Sequence, residues 1–176
     1  MKSLTEQINR RSWWHSPPVD KLAYKKRGIF LASSFKECEF YGRPLDEPIK
    51  VQVSNPLIGV EKNIIKILYG IGSDQMKAHN SLINDTAKDT LNVRFHLDAD
   101  IFTAAKKKGF DSIAIVTENG LEKIKEGKLP RSVELNVFNI NDVKRASRAA
   151  SMTCRTSSGS SNQENLTPPS RALHTV

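Results

Sequence analysis

The stretch GIFLASSFKECEFYG, residues 28–42, sets two aromatic rings, Phe30 and Tyr41, eleven positions apart, and a distant stretch, SVELNVFNI, carries a single carboxylate, Glu134, among apolar neighbours. Rings on a strand that leads into a helix ordinarily serve the core, and a strand glutamate ordinarily faces solvent. Chemistry at these positions therefore needs support from the rest of the chain. His79 and His96 have no partner at metal-ligand spacing, and Cys38 and Cys154 belong to no CxxC or Cys/His cluster, so neither a zinc site nor a disulfide framework is expected.

The elements that must position these residues follow from local patterns. RRSWWHSP reads as a short strand stopped by Pro17 and Pro18, which cannot donate to a ladder. GIFLAS is apolar enough for a buried strand, and Ser34 with Glu37 forms an S-x-x-E capping box that starts a helix over FKECEFYG and ends it at Gly42. IKVQVSNPLI alternates Ile49, Val51 and Val53 with polar residues, the pattern of a half-exposed strand that ends at Pro56. VEKNIIKILYG places Val60, Ile64, Ile67 and Leu68 on one helical face, and the following residues to about 97 are mixed. DADIFTAAKKKGF predicts a helix with Asp98 as N-cap and Gly109 as its stop. DSIAIVTE is a further apolar strand and NGLEKIKEGKLP a charged helix ending before Pro130. In SVELNVFNI, Val133, Leu135 and Val137 share one side, and Glu134, Asn136 and Phe138 the other. Strands with helices between them define an α+β fold.

With 176 residues, 38% of them hydrophobic, the chain can bury one core. The net charge of +8 is uneven: residues 1–27 hold seven Lys/Arg against two Asp/Glu, residues 28–144 sixteen of each, and residues 145–176 four against one. The middle, residues 28–144, is thus neutral between basic ends, and the chain divides into a basic arm, residues 1–12, a body, residues 13–144, and a basic Ser/Thr-rich tail, residues 145–176, too poor in apolar residues to order itself. Basic ends can attract nucleic acid, a phosphate-bearing ligand or an acidic partner, or simply keep a protein soluble. No stretch has the length and hydropathy of a signal peptide or membrane span, which implies a cytoplasmic protein with no membrane partner.

Three pieces fall in order: WHS on a first strand, GIFLAS to FYG on a second strand and its helix, and VELNVFNINDV on a late strand. In this the chain resembles the catalytic domain of the ADP-ribosyltransferase superfamily, most closely the His-Tyr-Glu branch of diphtheria-type toxins and poly(ADP-ribose) polymerases and, within it, small bacterial or phage members. The resemblance spans roughly residues 13–144. It implies a split mixed/antiparallel β-sheet core with flanking helices, and NAD as substrate without a metal. His15 would bond the adenosine ribose, the Ser16 backbone would hold the nicotinamide carboxamide, and Phe30 and Tyr41 would stack on the nicotinamide. Glu134 would be the catalytic carboxylate, ionised near a pKa of about 4.3 and hydrogen-bonded to the ribose 2'-hydroxyl. Ser16 stands where the branch has glycine, Phe30 where it has tyrosine, and Cys38 where some members have a carboxamide-binding serine. Only fifteen positions separate His15 from Phe30, so much of the loop that covers NAD in relatives is expected to be missing.

Arginine-modifying relatives carry a second glutamate two positions before the catalytic one. Here that position is Ser132, which disfavours an arginine acceptor. Three functions stay open: a mono-ADP-ribosyltransferase acting on a protein or nucleic acid, as a toxin, an effector delivered into a host cell or a phage modifier; an NAD glycohydrolase; and a non-catalytic basic binding protein that keeps the fold.

Overall fold

Polarity at the N-terminus does not keep it out of the fold. The Ser3 hydroxyl accepts from the Glu6 amide and the Glu6 carboxylate accepts from the Ser3 amide, so two donors of helix α1 (Leu4–Arg10) that would otherwise lack partners are satisfied. The residues read as a basic arm thus include a helix, and its Ile8 is fully buried. Trp13 Nε1 donates to the Ile8 carbonyl at 3.0 Å, and the Asn9 side chain exchanges two 2.8 Å bonds with the Val53 backbone. Arg11 donates to the Pro130 carbonyl at 2.7 Å. These ties make α1 part of the body rather than a loose appendage.

The computed structural model describes residues 2–20 and 22–145. After α1 come α2 (Ala23–Arg27), β1 (Ile29–Ala32), α3 (Phe35–Glu39), β2 (Ile49–Val51), β3 (Pro56–Gly59), α4 (Glu61–Tyr69), α5 (Asp74–Ile83), α6 (Thr90–Lys107), β4 (Ser112–Val116), α7 (Glu118–Lys125) and β5 (Val133–Val137). A 3-10 turn at Ile140–Asp142 then leads to β6 (Val143–Arg145). Four strands form a mixed sheet in the order β1-β5-β4-β3, antiparallel except for the parallel β3–β4 pair, and β2 and β6 form a separate antiparallel pair. The expected combination of helices with a mixed sheet is what the chain forms. Trp13 and Trp14 connect the two sheets: Trp13 pairs with Ile49 on β2, and Trp14 with Ala32 on β1. The Ser/Thr-rich tail lies, apart from Arg145, outside the described residues.

Period-two alternation distributes the strand side chains between two cores. Leu31, Leu135, Val137 and Ala114 pack with Ile8, Trp13 and Val51. On the other side, Leu57 and Ile113, which pair across β3 and β4, pack with Ile64, Leu97 and Ile101 from α4 and α6. Glu134 pairs with Ile115, which packs against this second, helix-covered core. The strand carboxylate therefore faces α4 and α6 rather than open solvent.

The strand expected over RRSWWHSP is only two isolated bridges, at Trp13 and Trp14, and three further boundaries differ from the sequence expectation. Helix α6 begins at Thr90, well before Asp98: Asp89 is its N-cap, accepting from the Asn92 amide at 3.1 Å, and Asp98 lies mid-helix. The helix runs on through Asp98 because Arg94, one turn earlier, neutralises that buried carboxylate. The strand expected to end at Pro56 is two strands, since Pro56 opens β3; the turn between them is held by Asp111 Oδ2, which accepts from the amides of Ser54 and Asn55 at 2.5 and 2.9 Å. Helix α3 keeps its Ser34 cap but ends at Glu39, which leaves Tyr41 on the following loop. Among the described residues, no helix is long and apolar enough to cross a membrane.

Candidate functional site

The four residues expected early in the chain, His15, Ser16, Phe30 and Tyr41, and Glu134 far along it all line one cavity of about 730 Å³. The volume is in the range of small-molecule sites. Strands β1 and β5 are neighbours, with Ala32 opposite Glu134 and Phe30 opposite Asn136, so the sheet register itself brings Phe30 and Glu134 to one wall.

His15 follows the Trp13–Trp14 link and is buried. Its Nδ1 lies 2.9 Å from the Phe30 carbonyl, a pure acceptor, so Nδ1 carries the proton. Nε2 then accepts from the Tyr24 hydroxyl at 2.7 Å. Burial pulls the His15 pKa down, against the bond to the Phe30 carbonyl, which keeps the ring neutral. Both ring nitrogens are committed within the protein, and Tyr24 lines the cavity beside His15. Ser16 is tied down as well, donating from Oγ to the Arg43 carbonyl at 3.2 Å.

Tyr41 donates its hydroxyl to Glu134 Oε2. Burial, then the neighbouring Glu134 charge, pushes the Tyr41 pKa up, so the phenol stays protonated. The Glu134 carboxyl is not the freely ionised group expected from sequence. Burial raises its pKa, and Asp98 and Glu61 add to the rise, while the Tyr41 hydrogen bond and the Arg94 charge oppose it.

The opposite wall comes from helices. Arg94 Nη2 lies 2.6 Å from Glu61 Oε1 and 2.5 Å from Asp98 Oδ1, and all three line the cavity. Glu61 Oε2 reaches the buried His79 Nδ1 at 3.1 Å, so His79 supports this cluster from behind. Burial raises the Asp98 pKa and Arg94 pulls it back. Arg27 lines the cavity too, its guanidinium 4.0 Å from the centre of the Phe95 ring. The fourteen residues between His15 and Phe30 do contribute to the wall, through Tyr24 and Arg27 of α2.

Cys38 is buried beside the cavity, and burial pushes its thiol up to about 11, so it is a protonated, weak donor at neutral pH. A smaller cavity of about 260 Å³ shares Phe40, Tyr41, Ser132 and Glu134 with the first and adds Glu37. Burial works against the Glu37 carboxylate, but bonds from the hydroxyls of Ser132, Ser33 and Ser34 outweigh it and hold its pKa below the ordinary value. Three hydroxyls satisfy that carboxylate in place, and it fastens α3 to the entrance of β5. Among the described residues no cluster of three or more His, Cys, Asp or Glu is placed to hold a metal ion.

Sequence reasoning missed Tyr24, Arg27, Glu61 and Arg94, and it took Asp98 for a cap. The one available signal was the Arg94/Asp98 spacing of four, which puts both on one helical face. No family model, curated protein or solved structure matches the chain.

Proposed function

We propose that the chain is an NAD-dependent mono-ADP-ribosyltransferase with an ADP-ribosyltransferase-like split sheet, in which Glu134 is the catalytic group. The observation that carries this is the convergence of His15, Ser16, Phe30, Tyr41 and Glu134 on one cavity, although Glu134 is more than ninety positions beyond the others. The two sheets linked through Trp13 and Trp14 support the same fold assignment.

In the proposed reaction the bond between C1' of the ribose and the nicotinamide nitrogen breaks, and its electron pair leaves with nicotinamide. Positive charge develops on the ribose ring. An ionised Glu134 beside the ring stabilises that charge, which exists mainly in the transition state, so the interaction speeds the reaction rather than merely tightening binding. Phe30 and Tyr41 supply faces for the nicotinamide, worth about 0.5–1.5 kcal/mol beyond burial for a stacked contact. The His15–Tyr24 pair acts through Tyr24, whose oxygen meets a ribose hydroxyl. A nucleophile on the acceptor then bonds to C1' and gives up its proton to solvent. Ser132, two positions before Glu134, is spent on Glu37, in keeping with an acceptor other than arginine.

The test is incubation with labelled NAD and cell lysate, with Glu134→Gln alongside. Nicotinamide release together with label on a macromolecule supports the transferase. Release without label transfer identifies a glycohydrolase that uses the same site with water. Absence of both in folded protein, with NAD failing to bind, points to the non-catalytic binding protein.

A further inference from the structure

An anionic ligand has a specific difficulty in this cavity. Three carboxylates line it, Glu61, Asp98 and Glu134, against two arginines. Arg94 is committed to Glu61 and Asp98 at 2.6 and 2.5 Å, and its charge is spent on them. Glu134 has a neutral partner, the Tyr41 hydroxyl. A ligand phosphate placed near Glu134 would meet like charge, so it has to sit where a cation is uncommitted.

Arg27 is that cation. Among the described residues it has no carboxylate within ion-pair distance, and Asp98 acts on it only from further away, as the weakest of the charges that set the Asp98 pKa. The guanidinium carbon sits over the Phe95 ring, 4.0 Å from its centre, and a cation held on a ring in this way keeps its N–H groups for a ligand. The backbone beneath is fixed too. The Arg27 carbonyl accepts from the buried Asn136 Nδ2 at 2.7 Å, and Gly28, at φ 76°, is so close to that side chain that a Cβ would come within 2.0 Å of Asn136 Oδ1. A planar donor on a fixed stem suits the paired oxygens of a phosphate better than a flexible ammonium does.

We propose that Arg27 is the anion-binding residue of the cavity and holds the pyrophosphate of a dinucleotide, so that the site selects its ligand by charge at one end and by ring stacking at the other. The identification of the ligand as NAD rests on the function proposed above; the anion site does not.

Two titrations separate them. Inorganic pyrophosphate and NAD are each titrated by calorimetry into the wild-type chain, Arg27→Gln, Arg27→Lys and the control Lys25→Gln, an exposed position on the same helix that does not line the cavity. Thermal melts establish that each variant is folded. Arg27→Gln is expected to weaken NAD binding at least about tenfold, the value of a lost hydrogen bond to a charged group, and to remove pyrophosphate binding. Arg27→Lys should recover part of the loss and Lys25→Gln should change neither. Pyrophosphate binding that depends on Arg27, without any NAD binding, would keep the anion site and remove NAD as its ligand. Equal affinities in wild type and Arg27→Gln, or no binding of either ligand by wild type, would overturn the proposal.

Discussion

The two walls of the cavity solve opposite problems. On the strand wall Glu134 faces a phenol hydroxyl and carries a raised pKa, so its charge is held at a cost. On the helix wall Glu61, Arg94 and Asp98 form a compensated cluster backed by His79. Under the proposed function the difference separates catalysis from support. The carboxylate proposed to meet charge developing on a substrate is left without a cation of its own, and the cluster across the cavity uses its cation to hold two helices together. Evening out the two walls should therefore cost activity on one side and stability on the other.

Removing the strand charge is the strongest way to break the contrast. Glu134→Gln should lower nicotinamide release by about 10²–10³-fold, comparable to losing one preorganised electrostatic contact. The same change should raise the melting temperature at neutral pH. With its folded pKa above the unfolded value, Glu134 favours the fold while protonated, below the unfolded pKa, and that contribution is lost as pH rises through the folded pKa. A melting temperature at pH 7.5 no higher than wild type would contradict the assignment of Glu134 as a strained, buried charge.

On the helix wall, Arg94→Met leaves two carboxylates without their cation. The expected loss is about 3 kcal/mol in urea unfolding, at the low end for a broken buried pair because the guanidinium is 33% exposed. If Arg94→Met instead unfolds at the wild-type midpoint, the cluster is not the support described here.

Tyr41→Phe keeps the ring and removes the hydroxyl that lowers the Glu134 pKa. Since the proposed reaction needs the ionised carboxylate, its rate should fall as pH drops through that pKa, and the acid limb of the pH–rate profile should move to higher pH. Tyr41→Ala and Phe30→Ala should each weaken NAD binding by about two- to tenfold through lost stacking. A smaller effect belongs to His15. Its depressed pKa gives stability that is present above the unfolded value of 6.5 and is lost as pH falls toward the folded value, a decline that His15→Gln should abolish in a series of melts.

How much could be read in advance divides along the same two walls. The strand wall was legible because a period of two says which side chains share a face, and Glu134 opposite the apolar set of Val133, Leu135 and Val137 could be placed from SVELNVFNI alone. Tyr41 was harder: the Ser34 cap marks where α3 starts, but the helix ends at Glu39, and tertiary contacts, Tyr41 with Glu134 and Ser16 with the Arg43 carbonyl, hold the loop beyond it. On the helix wall, α6 buries Leu97, Ile101, Phe102 and Ala105 together with Asp98. A charge at a core position blurs the apolar stripe, and although Arg94 shares α6 with Asp98, Glu61 lies on α4, so no local window contains the whole cluster. Tyr24 and Arg27 sit on a five-residue helix among lysines, where composition gives a polar loop as the default.

The pairing of β1 with β5 also sets a timetable. Ala32 meets Glu134 about a hundred residues later in the chain, and the Gln7 side chain bonds Gly127 and Leu129 just ahead of that strand. At roughly 5–20 residues per second of synthesis, the first strand waits on the order of 5–20 s on the ribosome for its partner. For that interval the Phe30 wall exists without its carboxylate. Under the proposed function a nascent chain cannot turn over NAD before this strand has emerged, and Glu134 is among the last parts of the body to be made.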